Sequence, residues 1–154
     1  MAGKARELTP EELAERQALY DDTLQEEAVK PLKWVSHDTD AHNDDGLRRL
    51  RMRHGWEAIG RWWHLVELLA SRRGHCYDVS TDEGWEMLAE DMLCDADGAR
   101  ELVGWLSELG LIESEMLEGE GVVRSERIER VAWKAAESVA SGKVGAWNRK
   151  HGVT

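Results

Sequence analysis

Phenylalanine is absent from this chain, and cysteine, proline and tyrosine occur only twice each. Two cysteines, Cys76 and Cys94, sit in unrelated local contexts. They supply neither a disulfide framework nor a complete zinc ligand set. So few prolines, with no low-complexity tract, confine expected disorder to the ends. No apolar run approaches the roughly 18–20 residues of a membrane span. The opening stretch MAGKARELTPEELAER has no apolar signal-peptide core. The expectation is a cytoplasmic protein with no membrane association. Basic residues are also scarce, 20 against 31 acidic, for a formal net charge of −11. No glycine-rich phosphate loop, nucleophile elbow or paired catalytic carboxylates can be found. The chain therefore offers no catalytic residues and calls for no cofactor, and it is not expected to be an enzyme.

What the chain does have is 154 residues, a hydrophobic fraction of 42% and eight tryptophans. That length fits one ordinary domain plus an extension. Trp34, Trp56, Trp62, Trp63, Trp85 and Trp105 lie within periodic segments. Tryptophan is usually buried with its N–H paired, so these six are expected to build the core.

Helical periodicity organises most of the chain. Thr9 followed by Pro10, Glu11 and Glu12 predicts a helix over 9–29, with a narrow stripe of Leu13, Tyr20 and Leu24. Such a stripe leans on the main domain or on a second copy, so a homodimer is one expectation. Asp44 or Asp45 caps a helix over 45–54, and Gly55 breaks it. Residues 56–72 form the strongest helix, with Ile59, Trp62, Trp63, Val66, Leu69 and Ala70 at i, i+3, i+4, i+7 spacing and Leu65 and Leu68 as a second edge. An extended piece, 76–79, precedes helices over 82–93 and 96–109, a helix-turn-helix spacing. Residues 111–116 and 122–128 read as strands joined by a glycine-containing turn. A last helix runs over 126–148, with Ile128, Val131, Ala132, Ala135 and Val139 on one face. Gly142 and Gly145 weaken its end, and the stretch from Gly142 to Gly152 looks like the start of a linker.

This order predicts a mainly α fold with a small β-wing, an α+β winged helix-turn-helix with added N- and C-terminal helices. The expected divisions are an acidic helical extension over 1–32, the winged-helix domain over 33–130, and a C-terminal helix and flexible tail over 131–154.

Several separated positions match a recurring pattern. They are Trp34, His37-Asp38, Ala41, Asp44-Asp45, Leu47, Leu50, Gly55, Gly60, Trp63 and Leu65-Val66-Glu67, followed more weakly by Ser125-Glu126-Arg127-Ile128. Over roughly residues 33–130 the chain resembles the N-terminal domain of phage replisome-organiser-like proteins from prophages of Gram-positive bacteria. The resemblance implies a winged helix, DNA binding in replication initiation and recruitment of a replication protein. It implies no catalytic residues.

Charge locates the candidate surfaces. Residues 82–118 hold 12 acids and a single base, Arg100. The expected recognition helix carries Asp97, Glu101 and Glu108, and the wing carries Glu113, Glu115, Glu118 and Glu120. Phosphates would be repelled there. DNA is therefore assigned to two other sets, Arg48, Arg49, Arg51 and Arg53, and Arg124, Arg127, Arg130 and Lys134. Glu86, Glu90, Asp97, Glu101 and Glu108 are assigned to a protein partner, a replication or other nucleic-acid-handling protein. The same acidity supports an alternative, a protein-interaction module such as a phage inhibitor (an anti-CRISPR type or DNA mimic) that occupies the groove of a basic protein. His37, Asp38, Asp40, His42, Asp44 and Asp45 match no metal-site spacing, and His64 and Glu67 lack the second copy that a di-metal bundle uses.

Overall fold

In the computed structural model, which describes residues 6–153, short polar side chains start four of the six helices. Thr9 caps α1 (Pro10–Ala28), and its hydroxyl accepts from the Glu12 amide while the Glu12 carboxylate accepts from the Thr9 amide. Asp44 caps α2 (Asp45–Ala70), Thr81 caps α3 (Asp82–Asp91) and Asp95 caps α4 (Ala96–Glu108). In each case the side-chain oxygen satisfies a first-turn amide that has no intrahelical partner. One turn of 3-10 helix, two short strands and two further helices complete the order: the 3-10 turn (Ala41–Asn43) precedes α2, β1 (Cys76–Asp78) precedes α3, and α5 (Ser114–Glu120), β2 (Val122–Arg124) and α6 (Glu126–Lys150) follow α4.

The chain divides into two units. Residues 31–129 form one, and residues 1–30 with 130–154 form the other, of which the first five residues and Thr154 lie outside the described residues. The expected 1–32 extension, up to Lys30, and the expected 131–154 tail thus fall in one unit.

In the 31–129 unit, α2 supplies the centre of the core. Leu50, Trp62, Leu65, Val66 and Leu69 are buried on it. They pack in one cluster with Leu88 and Met92 of the α3 region, Leu102, Val103 and Leu106 of α4, and Val123 of β2. Each fully buried leucine contributes about 1.5–3 kcal/mol. At Gly55 the helix is interrupted, with φ 78° and ψ −172°. That left-handed φ suits glycine, and it re-aims the second half of α2 relative to the first.

β1 and β2 pair antiparallel, Cys76 with Arg124, Tyr77 with Val123 and Asp78 with Val122. This corrects the expected wing. Residues 111–116 are not a strand; Ser114–Glu120 is helical and Gly121 ends it in the left-handed region. β2 takes its partner from far back in the chain instead of from a hairpin neighbour. Among the described residues the fold is thus mainly helical with one two-stranded sheet.

Tyr77 buries its ring under the Arg72 guanidinium, 4.2 Å from the ring centroid, and its hydroxyl donates to the Asp91 carboxylate at 2.6 Å. Burial first, and then that carboxylate, push the phenol up to about 12. The neutral phenol's contribution to stability is complete below the ordinary tyrosine value of 10.0 and is lost as pH rises towards about 12. In a Tyr20→Phe background, phenolate absorbance is expected to rise near pH 12. A rise centred near 10 would contradict the buried hydrogen bond.

In the other unit, α1 and the later part of α6 are joined by side chains. Trp147 Nε1 donates to Glu15 at 3.2 Å, Arg16 donates to Asn148, and Arg6 donates to the His151 carbonyl oxygen. Ala132, Ala136, Ala140 and Trp147 are buried, whereas Ala135 and Val139 of the expected face are exposed. On α1, Thr23 is buried and Leu13 of the expected stripe is exposed. The helix continues through Gly142 and Gly145 to Lys150. Cys76 and Cys94 are both free thiols, and both are half-buried.

Candidate nucleic-acid interface

Two tryptophans expected in the core are on the surface. Trp34 is 76% and Trp56 71% exposed, against 1% for Trp62. Trp63, Trp85 and Trp105 are half-buried at the edge of the core. Exposed indole faces are uncommon on a soluble domain and mark contact sites.

Trp56 lies immediately after the Gly55 break, and the Arg51 guanidinium stands over its ring, 5.4 Å from the centroid. Seven residues on, Trp63 stacks against the His37 ring with centroids 4.0 Å apart and planes 22° from parallel. Arg127 approaches the Trp63 ring at 5.4 Å and the Asp38 carboxylate at 3.5 Å. Between the two indoles is a concavity of about 240 Å³, bordered by His37, His42, Arg48, Arg51, Trp56 and Trp63. A second concavity, about 510 Å³, shares His37 and Trp63 and adds Lys33, Trp34 and Glu67.

The arginines assigned from sequence separate into distinct environments. Arg48 and Arg49 are exposed and have no acidic partner among the described residues. Arg51 faces Trp56, whereas Arg53 reaches Glu108 of α4 at 3.5 Å. Arg124 is ion-paired within the unit, with Nε 2.9 Å from Glu113 and Nη2 3.6 Å from Glu129, whose other oxygen is 3.7 Å from the fully buried His75. Its side chain is 36% exposed, and two carboxylates compete with any ligand for it. Arg130 and Lys134 are exposed on α6, in the other unit. The structure therefore brings Arg48, Arg51 and Arg127 to one aromatic surface and leaves Arg124 out of it. Composition and periodicity alone did not single out His37, His42, Trp34, Trp56 and Trp63 as members of that surface. The available signal was the placement of a large apolar residue directly after a helix-breaking glycine.

Glu86, Glu90, Asp97, Glu101 and Glu108 are all exposed. Only Glu108 among them has a basic partner among the described residues, Arg53. The one base of this region, Arg100, pairs with Asp82 at 2.9 Å and covers the Trp85 ring.

The histidines and acids near residue 40 do not converge. His37 is stacked on Trp63, and His42 Nδ1 hydrogen-bonds the Thr39 carbonyl oxygen. His64 Nε2 bonds the Asp91 carbonyl oxygen at 2.9 Å. No group of three His, Cys, Asp or Glu side chains is arranged to hold a metal among the described residues. Among them, too, no helix is long and apolar enough to cross a membrane.

Residues 34–128 match the profile of the family described as Lin1244/Lin1753-like, N-terminal. The chain belongs to that family. The match runs from Trp34 to Ile128, close to the limits of the 31–129 unit, and so takes in the aromatic and basic surface apart from Lys33 while omitting α1 and most of α6. No curated protein and no solved structure gave a significant match to the chain.

Proposed function

We propose that this chain is a DNA-binding, partner-recruiting module of phage-type replication, similar in role to a replisome organiser. The observation that carries the reading is the grouping of Arg48, which has no acidic partner among the described residues, with Arg51 and the exposed Trp56 at the Gly55 break. Cations free of internal ion pairs are available to phosphates, and exposed aromatic faces are available to bases. The order β1, α3, α4, β2, with β2 antiparallel to β1, supports a winged-helix ancestry in which helix α5 takes the place of a wing hairpin. The acidic α3–α4 pair then faces protein and not DNA.

Anisotropy with labelled single- and double-stranded DNA, titrated at low and moderate salt, tests the proposal. Binding that falls steeply with salt is the expected result. Absence of binding at low salt would overturn it.

A second reading rests on a different observation. Glu86, Glu90, Asp97 and Glu101 project from α3 and α4 at i, i+4 spacing, with no basic partner among the described residues. A surface of that kind fits a basic protein, as an inhibitor or DNA mimic requires. Salt-sensitive capture of a basic nucleic-acid-handling protein, without DNA binding, would favour it.

A further inference from the structure

The concavity between Trp56 and Trp63 has a definite chemical character. Ala41, Leu47 and Ile59 give it an apolar floor, two indoles flank it, and Arg48 and Arg51 stand at its edge. Its volume of about 240 Å³ is below the ~300–1,000 Å³ of ordinary cofactor or drug-sized sites. It suits one planar ring system with an anionic group outside. We infer that this pocket takes a single unpaired base of single-stranded DNA, stacked against Trp56, with the adjoining phosphates on Arg48 and Arg51.

Duplex DNA cannot supply that ligand, because its base faces are covered by their neighbours in the stack. An extruded or unpaired base has a free face, and stacking on indole tolerates any sequence. The neighbouring concavity extends the same pattern. It shares Trp63 and His37 with the first, and it adds the exposed Trp34 and Lys33, a second ring beside a second cation. Aromatic platforms interleaved with cations are the arrangement by which proteins follow a single strand. Isolated arginines on a helix face would serve a duplex equally well; the two tryptophan-lined concavities would not.

The inference rests on the DNA-binding proposal above, and its test separates the two. Labelled oligo(dT) of about 16 nucleotides, a duplex of the same length and single-stranded RNA of matching sequence are titrated by anisotropy. The proteins are wild type, Trp56→Ala, Trp56→Phe and a double Arg48→Gln/Arg51→Gln variant. Trp56 is largely exposed, so its replacement leaves the core intact, and circular dichroism checks this. The expected result is single-strand affinity about tenfold or more above duplex affinity. Trp56→Ala should lower single-strand affinity about tenfold and remove the preference, while Trp56→Phe keeps most of it. Equal affinity for single strand and duplex would overturn the base pocket and leave the DNA-binding surface standing. So would a Trp56→Ala protein that binds like wild type while the arginine variant does not. Tighter binding of the RNA would overturn the assignment to DNA. Binding of none of the three would overturn the DNA-binding proposal itself, and the pocket with it.

Discussion

Replacing Arg48, Arg49 and Arg51 together by glutamine is expected to lower DNA affinity by about two orders of magnitude at ~0.1 M salt. Each phosphate neutralised contributes ~0.9 to the salt slope on duplex and ~0.7 on single strands, so three lost contacts should flatten the slope by about 2–3. The effect is large because these cations have few competitors. Arg48 and Arg49 have no carboxylate partner among the described residues, and Arg51 contacts an aromatic ring. The formal charge of −11 opposes DNA binding only weakly at a distance, since the Debye length is about 10 Å at 0.1 M salt. Local charge therefore decides. Arg124→Gln is the informative contrast. It should leave DNA affinity near wild type and lower stability, because it strips a partner from Glu113 and Glu129 beside the buried His75. Affinity lost equally in both variants would mean that binding depends on overall charge or on intact folding, and not on the α2 arginines.

The parts of this molecule that sequence revealed are those decided locally. Thr9, Asp44, Thr81 and Asp95 each cap a helix through an amide three residues on, so four helix starts follow from a few neighbouring residues. The break at Gly55 is local in the same sense. The tryptophan surface was not legible because α2 carries two adjoining apolar stripes. Ala58, Trp62, Leu65, Val66 and Leu69 form the buried one, and Trp56, Ile59 and Trp63 lie beside it. Periodicity merges two such stripes into one wide face, and only the position of α3 and α4 decides which is covered. The error on α6 has the same origin. Ala135 and Val139 differ from the buried Ala136 and Ala140 by one position, about 100° around the helix. The hairpin failed for another reason. Val122–Arg124 does form a strand, but its partner lies before α3, and nothing in residues 111–128 points there. Ser114 and Glu115 ahead of Gly121 are equally a helix start and stop, and packing chose the helix.

Gly121→Ala is expected to lower stability by about 2–5 kcal/mol and the unfolding temperature by on the order of 10 °C. Two penalties act together. Gly121 has φ 66° and ψ 39°, and a residue with a Cβ loses about 1–2 kcal/mol in that region. A Cβ placed there would also lie 2.7 Å from Ser80 Cα and 2.9 Å from Ser80 Cβ. Ser80 has little room to retreat. Its amide and hydroxyl both donate to the Asp78 carboxylate, at 2.9 and 2.6 Å, and these bonds hold that carboxyl below its usual range. The next residue, Thr81, is the cap of α3. Gly121 itself is tied on both sides, since its amide donates to the Leu117 carbonyl oxygen at 3.1 Å and its carbonyl oxygen accepts from Val79 at 2.8 Å. The clash therefore falls where the end of α5, the β1–β2 pair and the start of α3 meet. Gly119→Ala, two residues earlier in the same helix, provides the control. Its Cβ would meet nothing within 4 Å, so it should be neutral or stabilising by up to about 1 kcal/mol. Thermal unfolding followed by circular dichroism distinguishes the two. If Gly121→Ala melts with the wild type, Ser80 yields at little cost, and the close approach of its backbone to Gly121 is not what fixes α5 against the sheet.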